Sequence, residues 1–214
     1  DVMAATMKMA HENGVGIGAH PGFMDIAGFG RNRMSIPRAT LQNQVRYQVA
    51  ANVGMARSVG AQVRHLKLHG ALANMASEDE TLARDLYEAA LSVAPDLIIM
   101  VLAATAQQDA AQALGCKWAA EIFADRAYND NATLVDRSKP GAVIHDAALA
   151  GQRMVNMVKA GAIITESGKK IPAAIDTICL HGDTPEAVDI AASVKSALQK
   201  AGITLKCFEG RTAA

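Results

Sequence analysis

Between Gly14 and Arg31 the chain reads GVGIGAHPGFMDIAGFGR, and no other stretch narrows the possible folds so far. Its first half alternates: Val15, Ile17 and Ala19 fall on one face, Gly16, Gly18 and His20 on the other. A period of two is that of a strand with one buried face. The second face carries no side chain before His20, so it suits a crowded interior. Pro21 and Gly22 end the strand. His20, Asp25 and Arg31 follow in a glycine-rich loop at its exit, where scaffolds tend to place function.

The alternation recurs. His65, Lys67 and His69 share one face of Val63–His69, with Leu66 and Leu68 on the other. Lys117–Asp125 sets Glu121, Phe123 and Asp125 together, and Thr177–His181 sets Thr177, Cys179 and His181 together. Leu97–Ala103 is continuously apolar, the pattern of a strand covered on both sides. Helical spacing fills the intervals. A first helix runs to Asn13, and a second opens near Ser35 and Pro37 and ends at Gly60. The Ser77/Glu80 pair reads as a capping box for a helix stopped by Pro95. Thr105 caps a helix closed by Gly115, Asp146 one closed by Gly161, and Thr184-Pro185 opens one ending near Gly202. An irregular loop is expected over 126–141, a hairpin around Gly168, and a last strand over Ile203–Phe208.

Repeated strand–loop–helix units imply a mostly parallel sheet with helices outside it. In an open doubly wound sheet both strand faces meet helices and read apolar. Here several strands pair an apolar face with a polar or tiny one, which suits a barrel wall around a polar lumen. The expected fold is therefore α/β, a TIM-like (β/α) barrel. With 214 residues and no linker or low-complexity segment, residues 1–214 are expected to form one domain.

Composition removes several function classes. Lys plus Arg and Asp plus Glu both total 21, with no run of one sign, so a nucleic-acid partner is not expected. The longest apolar run, Leu97–Ala104, is too short for a bilayer. Cys116, Cys179 and Cys207 are odd in number and lack zinc-site spacing, pointing to reduced thiols and a cytoplasmic protein. The glycines of Gly14–Gly18 lie inside a strand rather than at a strand-to-helix turn, and Gly168-Lys169-Lys170 lacks the rest of a P-loop. No familiar nucleotide motif is present.

The strand exits read His20-Pro21, His69-Gly70, Asp125-Arg126 and His181-Gly182-Asp183. Parallel β/α folds draw catalytic groups from the carboxyl ends of several strands. Converging, His20, His69, His181, Asp125 and Asp183 would suit acid–base work, or a divalent metal with the three histidines as candidate ligands. Each histidine alone could equally be a satisfied core residue; recurrence at one place in the repeat tells against that. Lys67 needs a carboxylate, Glu121 or Asp125, or an anionic ligand. Arg126 could grip a carboxylate or phosphate in bidentate fashion. Arg31 and Asp25 join the candidate binding set, against the plainer readings of a solvated charge and an Asx turn. Arg137 reads as a solvated loop charge, and Cys179 as packing rather than a nucleophile.

Four segments, GAHPGFMDIAGFGR, RHLKLHGALANMA, EIFADRAYNDNATLVDRSKPGAVIHD and DTICLHGDTPEAV, occur in this order between Gly14 and Val188. Together they resemble the LamB/YcsF family, whose bacterial members are the A subunits of ATP-dependent 5-oxoprolinases. The resemblance implies a seven-stranded β/α barrel similar to that of the glycoside hydrolases and polysaccharide deacetylases. It implies opening of the 5-oxoproline lactam to L-glutamate, with ATP as co-substrate cleaved to ADP and phosphate. Partner subunits B and C are implied, and a divalent metal such as magnesium is compatible. On this basis His20, His69 or His181, aided by Asp183 or Asp125, would activate water or protonate the ring nitrogen. Lys67 and Arg126 would hold the carboxylate or phosphoryl group. Family members also carry an acidic, Asn-containing first strand and a second ending in Gly-Phe-His. Neither is found here, so the expectation is a barrel lacking its first strands. Leu68, Ala73 and Asn32 depart from the family pattern at single positions. Two competing readings are a metal-dependent carbohydrate deacetylase or amidase without ATP, and a non-catalytic substrate-binding or scaffold subunit.

Overall fold

In the computed structural model, which describes residues 1–212, the elements alternate much as the pattern requires. They are α1 (Val2–Glu12), β1 (Ile17–Ala19), α2 (Arg38–Ser58), β2 (Val63–Lys67), α3 (Gly70–Glu78), α4 (Glu80–Leu91), β3 (Ile98–Leu102), α5 (Ala106–Ala113), β4 (Trp118–Phe123), α6 (Ala147–Ala160), β5 (Ala162–Ile164), β6 (Lys170–Pro172), β7 (Thr177–Cys179) and α7 (Ala187–Lys200). Five strands form one parallel sheet in the order β1-β2-β3-β4-β7, and β5-β6 form a separate antiparallel hairpin.

The sheet is strongly curled. Strands lie about 4.8 Å apart, so β2 and β7, three places apart, would be roughly 14 Å apart in a flat sheet. Yet the Lys67 Nζ on β2 lies 2.9 Å from the Cys179 Sγ on β7. Arg31, beyond β1, likewise reaches Asp183, beyond β7. The wall is thus a half-barrel of five parallel strands; among the described residues β1 and β7 share no ladder bonds.

The two faces separate as the alternation requires. Leu66, Leu68, Ile99, Val101 and Ile122 point to the helices and are buried in the main core. Leu41, Val45 and Val49 of α2, three successive turns of one face, seal it outside. Burying such aliphatic side chains contributes roughly 1.5–3 kcal/mol each. Lys67, Glu121, Phe123 and Cys179 point to the concave side, as the registers Glu121↔Thr177 and Phe123↔Cys179 require.

Several local expectations are corrected. Ser77 does not cap a helix: it lies inside α3, donating to the Asn74 carbonyl, while Asp79 accepts from the Leu82 amide to cap α4. Helix α3 has no counterpart in the sequence pattern; it starts directly at the β2 exit because Gly70, at φ +56°, turns the chain there. Pro37 rather than Ser35 precedes α2, and Thr105 does hold the N-cap position of α5, though its hydroxyl donates to the Leu102 carbonyl rather than accepting from the helix. Asp146 and the left-handed Gly161 do bound α6. The segment 203–208 forms no strand; among the described residues of this tail, Arg211 alone pairs with the sheet, at Trp118. Among the described residues no helix is long and apolar enough to cross a membrane.

Candidate active site

The exits of β1, β2, β4 and β7 open into one cavity of about 260 Å³, lined by His20, Lys67, His69, Phe123, Arg137 and His181 among others. Larger hollows lie elsewhere, but that below β7 and α7 is walled by aliphatic residues and the 203–211 segment, has no histidine, and its Asp176 is committed to Arg211. The imidazole-bearing cavity is the one suited to chemistry.

His20 ends β1 with its Nδ1 2.8 Å from the Lys67 carbonyl. A carbonyl only accepts, so Nδ1 carries the hydrogen and Nε2 keeps a free lone pair. Burial, joined by the positive fields of Lys67, His69 and His181, outweighs that bond and lowers its pKa to about 4. His20 is therefore a neutral imidazole at pH 7, with an unprotonated Nε2 available. Its ring meets that of His69 edge to face, centroids 4.9 Å apart. His69 is itself held below its ordinary pKa by burial and by Arg31. The Phe29 ring closes the other side of His69 at 5.4 Å.

His181 is braced differently. The Asp125 Oδ2 accepts from both its backbone amide (3.1 Å) and its Nδ1 (2.7 Å), which fixes the ring and leaves Nε2 free. Burial works to raise the Asp125 pKa, but the bonds and charge of His181 outweigh it and hold the carboxyl below its usual range. A carboxylate behind an imidazole fixes its tautomer and stabilises the imidazolium once it forms. The second oxygen, Asp125 Oδ1, is buried with no partner.

At the cavity floor Lys67 Nζ sits 2.7 Å from Glu121 Oε2 and 4.6 Å from the Phe123 centroid. Burial opposes its charge, yet Glu121 and Cys179 together keep the pKa raised, so it remains an ammonium. Burial likewise raises Glu121, only partly offset by Lys67. The Cys179 thiol is pushed up to about 12 by burial and by Glu121, which leaves it unreactive.

The expected set thus divides. His20, His69, His181, Lys67 and Arg31 line the cavity; Asp125 lies behind His181, and Asp183 at the rim pairs with Arg31. Two expectations are corrected. Asp25 turns into its own loop, accepting from the Gly28 amide and from Asn32, in an Asx turn away from the cavity. Arg126 borders the cavity but is 3% exposed and commits two nitrogens to the Ala142 and Val135 carbonyls, so it secures the 126–142 loop rather than gripping a ligand. The structure adds Phe29, Phe123 and Arg137. Arg137 has no signal in the sequence beyond its place in the longest loop.

Among the described residues no three His, Cys, Asp or Glu side chains are gathered to hold an ion.

The profile of the LamB/YcsF family matches residues 1–213. The chain is 65% identical over 209 residues to a protein of Ruegeria pomeroyi named as the A subunit of 5-oxoprolinase, covering 98% of this chain and 83% of that one. A protein of the same name from Rhodopseudomonas palustris (strain BisB5) is 49% identical over 212 residues, covering 99% and 84%. Among solved structures, the lactam utilization protein from Thermus thermophilus superposes with a TM-score of 0.86 at 33% identity, covering 96% of this chain and 82% of that one.

Proposed function

The chain belongs to the LamB/YcsF family, and on that footing we propose that it is the lactam-binding, acid–base component of an ATP-dependent 5-oxoprolinase. It opens the cyclic amide of 5-oxo-L-proline to L-glutamate while ATP is cleaved to ADP and phosphate. One observation carries the reading beyond likeness. A neutral imidazole with a free Nε2, His20, and an imidazole braced by a carboxylate, His181, border the same small cavity.

Amide resonance makes a lactam a poor electrophile and its nitrogen a poor leaving group. Transfer of the γ-phosphoryl group to the lactam oxygen releases ADP and removes that resonance. His20 then takes a proton from water as the oxygen attacks C5. The His181–Asp125 pair delivers a proton to the ring nitrogen as the C5–N bond breaks, leaving an acyl phosphate. A second water releases phosphate and the new carboxylate. Lys67 and Arg31 supply the positive field in which oxyanions develop, and His69 packs against His20 to fix its plane. We also propose that B and C partner subunits complete the enzyme, that it works in the cytoplasm, consistent with its three free cysteines, and that the five-stranded arc belongs to a seven-stranded barrel.

The assay follows glutamate and phosphate release from 5-oxo-L-proline and ATP, by the chain alone and mixed with its partner subunits. Equal release by the mixture, lowered about 100-fold or more in His181→Ala, is expected. A wild-type mixture forming no glutamate would refute the activity, and a fully active His181→Ala would refute the site.

A further inference from the structure

Among the cations at the cavity, Lys67, Arg31 and Arg126 have their charges or donors answered, by Glu121, by Asp183 and by two loop carbonyls. Arg137 does not. Half-buried in the cavity wall, it has no hydrogen-bond or ion-pair acceptor among the described residues. Its neighbour Asp136 is turned away, with Oδ1 accepting from the Ser138 amide and hydroxyl. Burial and the like charge of Arg31 depress the Arg137 pKa, and the more distant carboxylates Asp183 and Asp125 offset this only in part. A desolvated guanidinium beside a second one costs free energy until an anion arrives.

We infer that Arg137, flanked by Arg31, is the seat of the substrate's carboxylate and sets the enzyme's preference for lactams that carry one. The inference rests on the lactam-opening reading above and adds a residue to it. A planar guanidinium pairs with a carboxylate through two parallel N–H···O bonds, fixing orientation as well as position. Cavity size selects among anions. About 260 Å³ lies just below the roughly 300–1,000 Å³ range of pockets for drug-sized ligands, which suits a small ring acid. A carboxylate held at Arg137 leaves the lactam ring in the part of the cavity bordered by His20 and His181. Arg137 is thus a specificity-determining contact.

The test uses the complete complex and two substrates, 5-oxo-L-proline and its neutral carboxamide, with wild type, Arg137→Gln and Arg137→Lys. For the acid, Arg137→Gln should raise KM roughly 10- to 100-fold, the range for a hydrogen bond to a charged group. For the amide, kcat/KM should stay within about threefold, so the wild-type preference collapses. Arg137→Lys should fall between, and it carries the test if the glutamine variant fails to fold. Equal losses on both substrates would overturn the inference as a structural effect. A raised KM for ATP with that for the acid unchanged would overturn it in favour of a phosphate site. A wild-type complex that opens neither substrate would instead overturn the lactam reading, and the inference with it.

Discussion

Replacing Glu121 by Gln isolates the electrostatics of the cavity floor. The Glu121 side chain is 5% exposed and its partner Lys67 20%. Removing one member of a buried pair usually costs about 3–5 kcal/mol, because the other charge is left desolvated. Lys67 retains some solvent, the Phe123 face and the Cys179 sulfur, so the loss should fall to about 2–3 kcal/mol. For a chain of this length that corresponds to a drop in Tm of roughly 5–10 °C. Glutamine has the volume of glutamate, so cavity formation adds nothing. Replacing both partners, Lys67→Met with Glu121→Gln, removes the stranded charge and should recover stability to within about 1 kcal/mol of wild type. Urea denaturation of the four proteins reads the coupling directly. A Glu121→Gln loss below about 0.5 kcal/mol, or single effects that simply add, would refute the claim that this is a buried, coupled pair.

Further expectations concern pH and backbone. His20 and His65 have folded-state pKa values lowered from 6.5 to about 4, chiefly by burial. The unfolded chain therefore takes their protons first, and stability present above pH 6.5 should be lost as the pH falls toward 4. For half-buried His65, after discounting for solvent screening, that loss is of order 1 kcal/mol at pH 5. Thermal melts from pH 7.5 to 4.5 would show it, and a flat profile over that span would contradict it. Gly70→Ala should cost about 2 kcal/mol or more, since φ is +56° and the new Cβ would stand 2.5 Å from the Gly30 carbonyl oxygen. Gly54→Ala, in open space on α2, should instead stabilise by about 0.5–1 kcal/mol. Equal Tm shifts in the two variants would rule out this backbone account.

Most of the scaffold is legible in the sequence because its signals are local. The alternation of Leu66 and Leu68 against His65 and Lys67, the apolar run of β3, and the caps at Asp146 and Gly161 each state their own conformation. The α3 helix is not legible: its start depends on Gly70 making a tight turn against the Gly30 backbone, a contact between distant segments. Nor is the fate of 203–208, whose alternating residues have no neighbouring strand in the described structure. At the site, position in the strand–loop repeat suffices to bring the three histidines together. It cannot tell which loop charges turn inward. Arg126 and Arg137 both follow β4 in one irregular loop; Arg126 is tied to two loop carbonyls, whereas Arg137 has no such bond among the described residues.

The most direct test is a cycle on the two imidazoles that the curl of the sheet brings to one cavity. The rate kcat/KM for 5-oxo-L-proline is measured in the complete complex for His20→Asn, His181→Asn and the double variant. If they act on one bound lactam, each single loss should be about 100-fold or more, and the double variant should lose much less than the product of the two. Full activity in either single variant, or losses that multiply as for independent sites, would contradict the shared cavity.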